Sequence, residues 1–122
     1  MAIRFDTVSD GPLLRVTARG ADDGLGAVIA YADGVAASAK RCGCTKILCD
    51  ERELTYALTT METFLAAEAA SSYRTQEIKV AIVCSPEYRE EAAFFENVAM
   101  NRGMLLKATT DITEAEQWLN GT

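Results

Sequence analysis

A short charged run, Asp50-Glu51-Arg52-Glu53, contains the residues of this 122-residue sequence that are best suited to acid–base chemistry. Carboxylates beside an arginine can move protons or hold a charged substrate. The structural alternative is that Asp50 and Arg52 organise their segment through hydrogen bonds and that the two glutamates are solvated. We favour this alternative, and the sequence predicts no catalytic residue here.

The sequence contains no histidine. Imidazole is the usual base that activates a serine or cysteine nucleophile, and it is a common zinc ligand. Ser85 is therefore better explained as the cap of a helix than as a nucleophile. Together with the charged run, this absence predicts a protein that is not an enzyme and that uses no cofactor.

The four cysteines give a weak signal for chemistry. Cys42 and Cys44 form a C-x-C pair, which is one residue short of the redox C-x-x-C spacing. Cys49 and Cys84 lie in apolar runs that are typical of buried strands, where thiols behave as small apolar side chains. We expect reduced structural thiols and no metal site.

The charge balance excludes several classes of partner. Twelve basic and 18 acidic residues give a net charge of −6, whereas nucleic acids and anionic membranes attract basic surfaces. No apolar run approaches the roughly 18 residues of a membrane span, and the N-terminus shows no signal peptide. We expect a cytoplasmic protein with a single domain over residues 1–122.

Local patterns predict the elements that would position these residues. The turn residues Ser9-Asp10-Gly11-Pro12 separate two strand-like segments, which indicates an antiparallel hairpin. Helical spacing of apolar residues follows, with Asp22 or Asp23 as the cap and with Gly34 indicating a close approach to the sheet. Residues 45–50 then resemble a buried parallel strand, and residues 51–58 a loop.

The second half of the sequence alternates helices and strands. Thr59 and Glu62 form a capping box, and the helix that they open is expected to bury Met61, Phe64 and Leu65. The predicted order is β-β-α-β-α-β-α-β-α. Such alternation favours a mostly parallel five-stranded sheet after the N-terminal antiparallel hairpin, an α/β fold.

An apolar flank is predicted around the second and third helices. Phe94 and Phe95 are adjacent, so one helix cannot bury both on the same face. Such a flank could line a ligand groove, contact a second chain, or simply extend the core. Its members are Tyr56, Leu58, Met61, Phe64 and Phe94.

Three segments resemble a known family: KILCDER at 46–52, FFENVAMNRG at 94–103, and the closing segment 110–119. With the element order, they make the chain similar to the STAS superfamily, the fold of anti-sigma-factor antagonists and of the cytoplasmic tails of sulphate transporters. The chain looks most like small stand-alone bacterial STAS-like proteins, which share this architecture with CRAL–TRIO lipid-transfer domains.

The resemblance implies a candidate phosphorylation switch. In anti-sigma antagonists, a serine or threonine at the start of the helix after the third strand is phosphorylated by a partner kinase, which blocks partner binding. Thr59 and Thr60 lie nearest to that position, although Leu58-Thr59-Thr60-Met61 replaces the family's Asp-Ser-Ser-Gly-type sequence. Helix capping alone is the alternative role for Thr59.

The resemblance implies a non-enzymatic regulatory or protein-interaction module, expected to be a homodimer. The alternative function is a carrier of a small molecule or lipid in an apolar groove near the second and third helices. The candidate partner or ligand surface comprises Asp50, Arg52, Tyr56, Met61, Phe64 and Phe94.

Overall fold

The computed structural model describes residues 3–73, 75 and 77–121. Across these residues, five strands lie side by side in chain order. The first two strands are antiparallel, and every later neighbour is parallel. This arrangement confirms the predicted hairpin and the mostly parallel sheet. The strands are β1 (Ile3–Asp10), β2 (Leu13–Asp22), β3 (Lys46–Tyr56), β4 (Lys79–Cys84) and β5 (Leu105–Thr109).

The helices of the described residues cover both faces of the sheet. They are α1 (Leu25–Cys42), α2 (Thr60–Ala70), α3 (Arg89–Asn101) and α4 (Ile112–Asn120). Because successive parallel strands are added in one direction by right-handed crossovers, α1, α2 and α3 lie on the same face. Helix α4 packs on the other face against β3, β4 and β5. The observed order of elements is the predicted one.

Each face of the sheet has its own core. The smaller core lies between α4 and the side chains of the central strands that point toward α4. It includes Leu48, Val83 and Leu119. The larger core lies between the sheet and α1 to α3, and it includes Val16, Tyr31 and Leu106. The two cores share the central strands, whose alternate side chains point to opposite faces.

Strand β3 is longer than the sequence predicted. The loop expected over residues 51–58 is wrong, because β3 continues to Tyr56. Its pairing with β2 steps from Thr17–Asp50 to Arg19–Glu53, so β3 carries one extra residue, a bulge, at this point. Strand β4 ends opposite Glu51. Beyond that residue β3 has a neighbour on one side only, where polar side chains are tolerated.

The start of α1 also differs from the prediction. Asp22 is the last residue of β2, and Gly24 occupies the N-cap position without a capping side chain. Asp22 is buried and accepts a hydrogen bond from the backbone N–H of Ala57. The predicted cap role of Asp22 or Asp23 is therefore wrong. Strand β2 continues to Asp22, and the N-cap of α1 is Gly24.

The predicted close approach of α1 to the sheet is confirmed at Gly34. A Cβ atom at this position would lie 2.7 Å from the Phe5 ring of β1. The Phe5 ring also packs edge-on against Tyr31, with 5.3 Å between the ring centroids. Glycine at position 34 thus lets the first strand and the first helix pack closely.

Ser85 does not cap a helix with its side chain. Its hydroxyl lies 3.2 Å from the Glu87 carboxylate, and it makes no capping hydrogen bond. A short 3-10 turn over Pro86–Tyr88 precedes α3. The predicted helix start is therefore found at the right place, but the proline and the turn begin it without the expected cap.

The cysteines divide into two kinds. Cys42 and Cys44 form a disulfide, so the expectation of reduced thiols is wrong for this pair. Gly43 between them has a left-handed backbone conformation (φ +69°), and the Cα atoms lie 5.3 Å apart, within the range that a disulfide spans. Cys49 and Cys84 are free and buried, as expected.

Candidate functional site

Asp50 and Arg52 form a closed ion pair. The Arg52 side chain donates two hydrogen bonds, at 2.8 and 2.7 Å, to the two carboxylate oxygens of Asp50. The backbone N–H of Arg52 adds a third at 3.2 Å. The Arg52 hydrogen bonds hold the pKa of Asp50 below its ordinary value. This geometry supports a structural role for the pair, since a carboxylate so held is a poor proton acceptor.

The predicted capping box at the start of α2 is confirmed. Thr59 Oγ1 accepts a hydrogen bond from the Glu62 backbone N–H at 3.2 Å, and the Glu62 carboxylate accepts one from the Thr59 N–H at 3.0 Å. Thr60 is the first residue of the helix and is exposed. Both threonines are therefore exposed, but the hydroxyl of Thr59 is engaged in the cap.

Helix α2 turns its large side chains away from the sheet. Met61 is 65% exposed and Leu65 is 37% exposed, so the prediction that the helix buries them is wrong. The buried positions of α2 hold small residues instead: Thr63, Ala66, Ala67 and Ala70. Helical geometry places residues three and four apart on one face, and in α2 the inner face is the one with the smallest side chains.

The remaining members of the predicted apolar flank do not form one groove. Phe64 is half-buried beneath the Arg102 guanidinium, 5.6 Å from the ring centroid. Phe94 is half-buried on α3. Tyr56 instead turns inward and stacks on Tyr88, with 4.9 Å between ring centroids. Of the six candidate surface residues, only Tyr56 lines the cavity between the sheet and the helices, and Leu58 of the predicted flank lines it too.

A cavity of about 480 Å³ lies between the sheet and helices α1 to α3. Its cause is the small inner face of α2, where Thr63, Ala66 and Ala70 line the space. Helix α2 rests mainly on α1 and α3 and stands off the strands beneath it. Because short side chains face the sheet across this distance, the space is left unfilled.

The two faces of β4 show the effect of the cavity. Val80 and Ile82, which face α2, each keep 9% exposure, whereas Ala81 and Val83 on the α4 side have 0%. Alternate residues of a strand point to opposite faces. The residual exposure is thus confined to the face beneath α2, and the α4 face is fully packed.

A buried carboxyl group closes one end of this cavity. Glu51 is only 6% exposed. The hydroxyl of Tyr31 donates a hydrogen bond to one of its oxygens at 2.9 Å, and that of Tyr56 donates to the other at 2.5 Å. Asp22 and Cys49 line the same end. Two carboxyl groups, two phenols and a thiol therefore form one polar end of a space whose middle is lined by apolar side chains.

The environment of Glu51 shifts its proton affinity. Burial raises the pKa of Glu51 to about 7, the neighbouring carboxylates of Asp22 and Asp50 push it in the same direction, and the two tyrosine hydrogen bonds oppose the rise. Burial likewise raises the pKa of Asp22 and of the Cys49 thiol. Because its pKa lies near neutrality, Glu51 exchanges a proton in the physiological range.

Sequence reasoning missed Tyr31 and Asp22 as site residues and assigned Glu51 to solvent. The alternation Ile47, Cys49, Glu51 was the available signal, since residues two apart in a strand share a face. The expectation that both glutamates are solvated holds for the exposed Glu53 and is wrong for the buried Glu51. The charge of Glu51 suggested that its side chain faces solvent, but the register of β3 directs this side chain into the protein.

Comparison with known proteins identifies the fold. No protein-family profile and no curated protein sequence matches the chain. Among solved structures, the chain is similar to an anti-sigma factor antagonist from Mycobacterium paratuberculosis, with a TM-score of 0.65 and 10% sequence identity. The similarity covers 98% of this chain and 96% of that chain. The chain therefore has the STAS-like fold of anti-sigma factor antagonists, as its sequence resemblance implied.

Two further observations bear on the expected site classes. Within the described residues, no helix is long and apolar enough to cross a membrane. No cluster of three or more potential ligands that could hold a metal ion occurs in the same part of the chain.

The buried Glu51 predicts an unusual pH dependence of stability. Its pKa rises from 4.5 to about 7 on folding, so the unfolded state releases this proton first. The free energy of unfolding should fall by roughly 3 kcal/mol as the pH rises from about 4.5 to about 7. In Glu51→Gln this contribution should vanish, which urea unfolding at several pH values measures. Glu53→Gln is the matched control, and parallel curves for Glu51→Gln and wild type would contradict the prediction.

The cavity predicts opposite effects for two neighbouring alanines of α2. Ala66 lines the cavity, whereas the fully buried Ala67 does not. Ala66→Leu should raise the free energy of unfolding by about 1–2 kcal/mol, because the added side chain fills empty apolar space. Ala67→Leu should lower it by about 1–3 kcal/mol through overpacking. Urea midpoints compare the two, and equal destabilisation would show that no cavity exists.

Proposed function

We propose that this chain is a non-enzymatic regulatory module of the STAS type that acts by binding a protein partner. The observation that carries the proposal is the match, over 98% of the chain, to an anti-sigma factor antagonist. The name of that protein describes a regulator that opposes another protein. The closed Asp50–Arg52 pair supports the same conclusion, since its groups are engaged with each other.

The outer face of α2 is the partner surface in this proposal. Met61 and Leu65 are exposed and lie four residues apart, so they occupy the same side of the helix. An amphipathic or apolar helix face of this kind fits the groove of a protein partner. The surface begins beside Thr59 and Thr60, the two residues nearest to the regulated position that the family resemblance implies. Because the exposed apolar side chains lie close to these threonines, a phosphate added there would block binding of a partner to this surface.

Thr60 is the better phosphate acceptor of the two threonines. A phosphate at a helix N-terminus is favoured by the helix dipole. The hydroxyl of Thr59, however, is engaged by the Glu62 backbone N–H, and the Glu62 carboxylate lies beside it. A phosphate on Thr59 would lose the cap and meet a like charge. The exposed Thr60 has neither disadvantage.

Affinity capture from native lysate tests the partner surface. The tagged wild-type chain should retain a protein partner, and Met61→Glu, Leu65→Glu and the phosphate mimic Thr60→Glu should each reduce its recovery about tenfold, because a charge would be buried at the contact. Val8→Glu is the matched control, since Val8 is 64% exposed on β1, far from α2. Quantitative mass spectrometry measures recovery. Equal recovery by all variants would overturn the α2 surface, and no recovered protein would overturn the proposed function.

The proposal locates the module in the cytoplasm and retains the predicted homodimer. Phe94 is half-buried on α3, so part of its ring is open to a second chain. Sedimentation equilibrium should give the mass of two chains, and Phe94→Ser should shift the protein toward one chain by removing apolar contact area. A single-chain mass for wild type at micromolar concentration would contradict the homodimer.

A further inference from the structure

We propose that the cavity beneath α2 binds one small molecule with an apolar body and a hydrogen-bond donor, a hydroxyl or an amine, at one end. This site does not depend on the proposed partner surface, because the cavity is lined by the inner side of α2 and the partner surface lies on its outer side. The volume of the cavity, its apolar length and the chemistry of its polar end all support such a site.

The volume of the cavity is that of a ligand pocket. It measures about 480 Å³, and pockets for small molecules occupy roughly 300–1,000 Å³. Protein interiors are close-packed, and voids larger than a water molecule are few. The cavity follows from the sequence of α2. Its inner face carries Thr63, Ala66 and Ala70, and larger apolar residues at these positions would fill the space.

The cavity has an apolar length between polar ends. Ile47, Cys49 and Glu51 of β3 line it in succession, and the four residue steps between the first and last span roughly 13 Å. On the helical side, Val35 and Ala39 of α1 line the apolar part. Polar side chains line both ends: Glu51 and the two tyrosines at one, and Lys40, Thr45 and Glu77 at the other, where β3 and β4 begin. A ligand therefore enters a long apolar space whose Glu51 end is suited to hydrogen bonding.

When Glu51 is ionised, above its pKa of about 7, the polar end offers mainly acceptors, and the Cys49 thiol is a weak donor. The hydroxyl protons of Tyr31 and Tyr56 are both used in hydrogen bonds to Glu51. Each carboxylate oxygen keeps a second lone pair, and each phenolic oxygen can still accept a hydrogen bond. While Glu51 is ionised, this end therefore favours a ligand that donates a hydrogen bond, as a hydroxyl or an amine does.

The acidic side chains at the polar end disfavour anionic ligands there, most strongly above the pKa of Glu51. Asp22 and Glu51 both line it, and a carboxylate or phosphate there would meet like charge in a poorly solvated space. Lys40 is the basic residue among the described lining residues. It lies nine residues after Tyr31 on α1, roughly 13 Å further along the helix axis, and it is exposed. The polar end at Glu51 therefore favours the hydroxyl of an alcohol or the amine of a ligand over a carboxylate or a phosphate.

Two fluorescent probes with the same ring system test this chemistry on the full chain. 1-Aminoanthracene has an apolar body with one amine, and 1-anthracenecarboxylate replaces the amine with an anion. Fluorescence titration should show saturable 1:1 binding of the amine and at least tenfold weaker binding of the carboxylate. 1-Dodecanol should displace the bound amine, whereas dodecanoate should not. Equal or tighter binding of the carboxylate, or no binding of the amine, would overturn the proposal.

Variants locate the bound probe. Ala66→Leu should weaken 1-aminoanthracene binding at least tenfold by filling the cavity, and Ala70→Leu provides the same test if the first variant does not fold. Glu51→Gln should reduce the discrimination between amine and carboxylate, because the amide can donate a hydrogen bond. Met61→Glu is the matched control on the outer face of α2. Unchanged binding in both leucine variants would overturn the assignment to this cavity.

The same variants keep this proposal separate from the proposed function. Met61→Glu should lose the protein partner and still bind the amine probe, whereas Ala66→Leu should lose the probe and retain the partner. Loss of probe binding in Met61→Glu would contradict a site confined to the inner side of α2.

Discussion

The burial of Glu51 between two tyrosine hydroxyls is the interaction on which this side of the molecule depends. A carboxyl group inside a protein requires hydrogen-bond partners, because burial removes it from water. Tyr31 reaches it from α1, and Tyr56 returns to it from the end of β3. Glu51 lies at the bulge in β3, and Tyr56 is the last residue of that strand. Stacking on Tyr88 further holds the Tyr56 ring. One side chain thereby joins the first helix, the central strand and the segment that leads into α3.

Helix α2 separates two surfaces with different chemistry. Its outer side carries Met61 and Leu65, and its inner side carries Thr63, Ala66 and Ala70. The same distribution of side-chain size therefore exposes apolar area outside and leaves empty volume inside. In the proposals made above, a protein partner occupies the first surface and a small molecule the second. Neither surface requires the Asp50–Arg52 pair, which stabilises its own strand.

A shared fold does not by itself assign a function, because sites vary on a common framework. The similarity to an anti-sigma factor antagonist extends over 98% of the chain at 10% identity, so few side chains are held in common. The Leu58-Thr59-Thr60-Met61 segment departs from the Asp-Ser-Ser-Gly-type sequence to which it was compared. This chain has a capping box there, with Thr59 as the cap and the exposed Thr60 as the first residue of the helix. These residues therefore bear on the function more directly than the fold does.

The order of elements, the first hairpin and the capping box at Thr59 were determined by the sequence alone, because turns, caps and apolar periodicity are local signals. The burial of Glu51, the role of Asp22 and the cavity were decided by the tertiary structure. In α2 the reason is specific: small and apolar residues occur on all its sides, so periodicity does not indicate which side faces the sheet. For Glu51, a charged residue suggested solvent, and only the register of β3 and the positions of Tyr31 and Tyr56 turned it inward. Side-chain direction at these points depends on neighbours distant in sequence, which no local pattern contains.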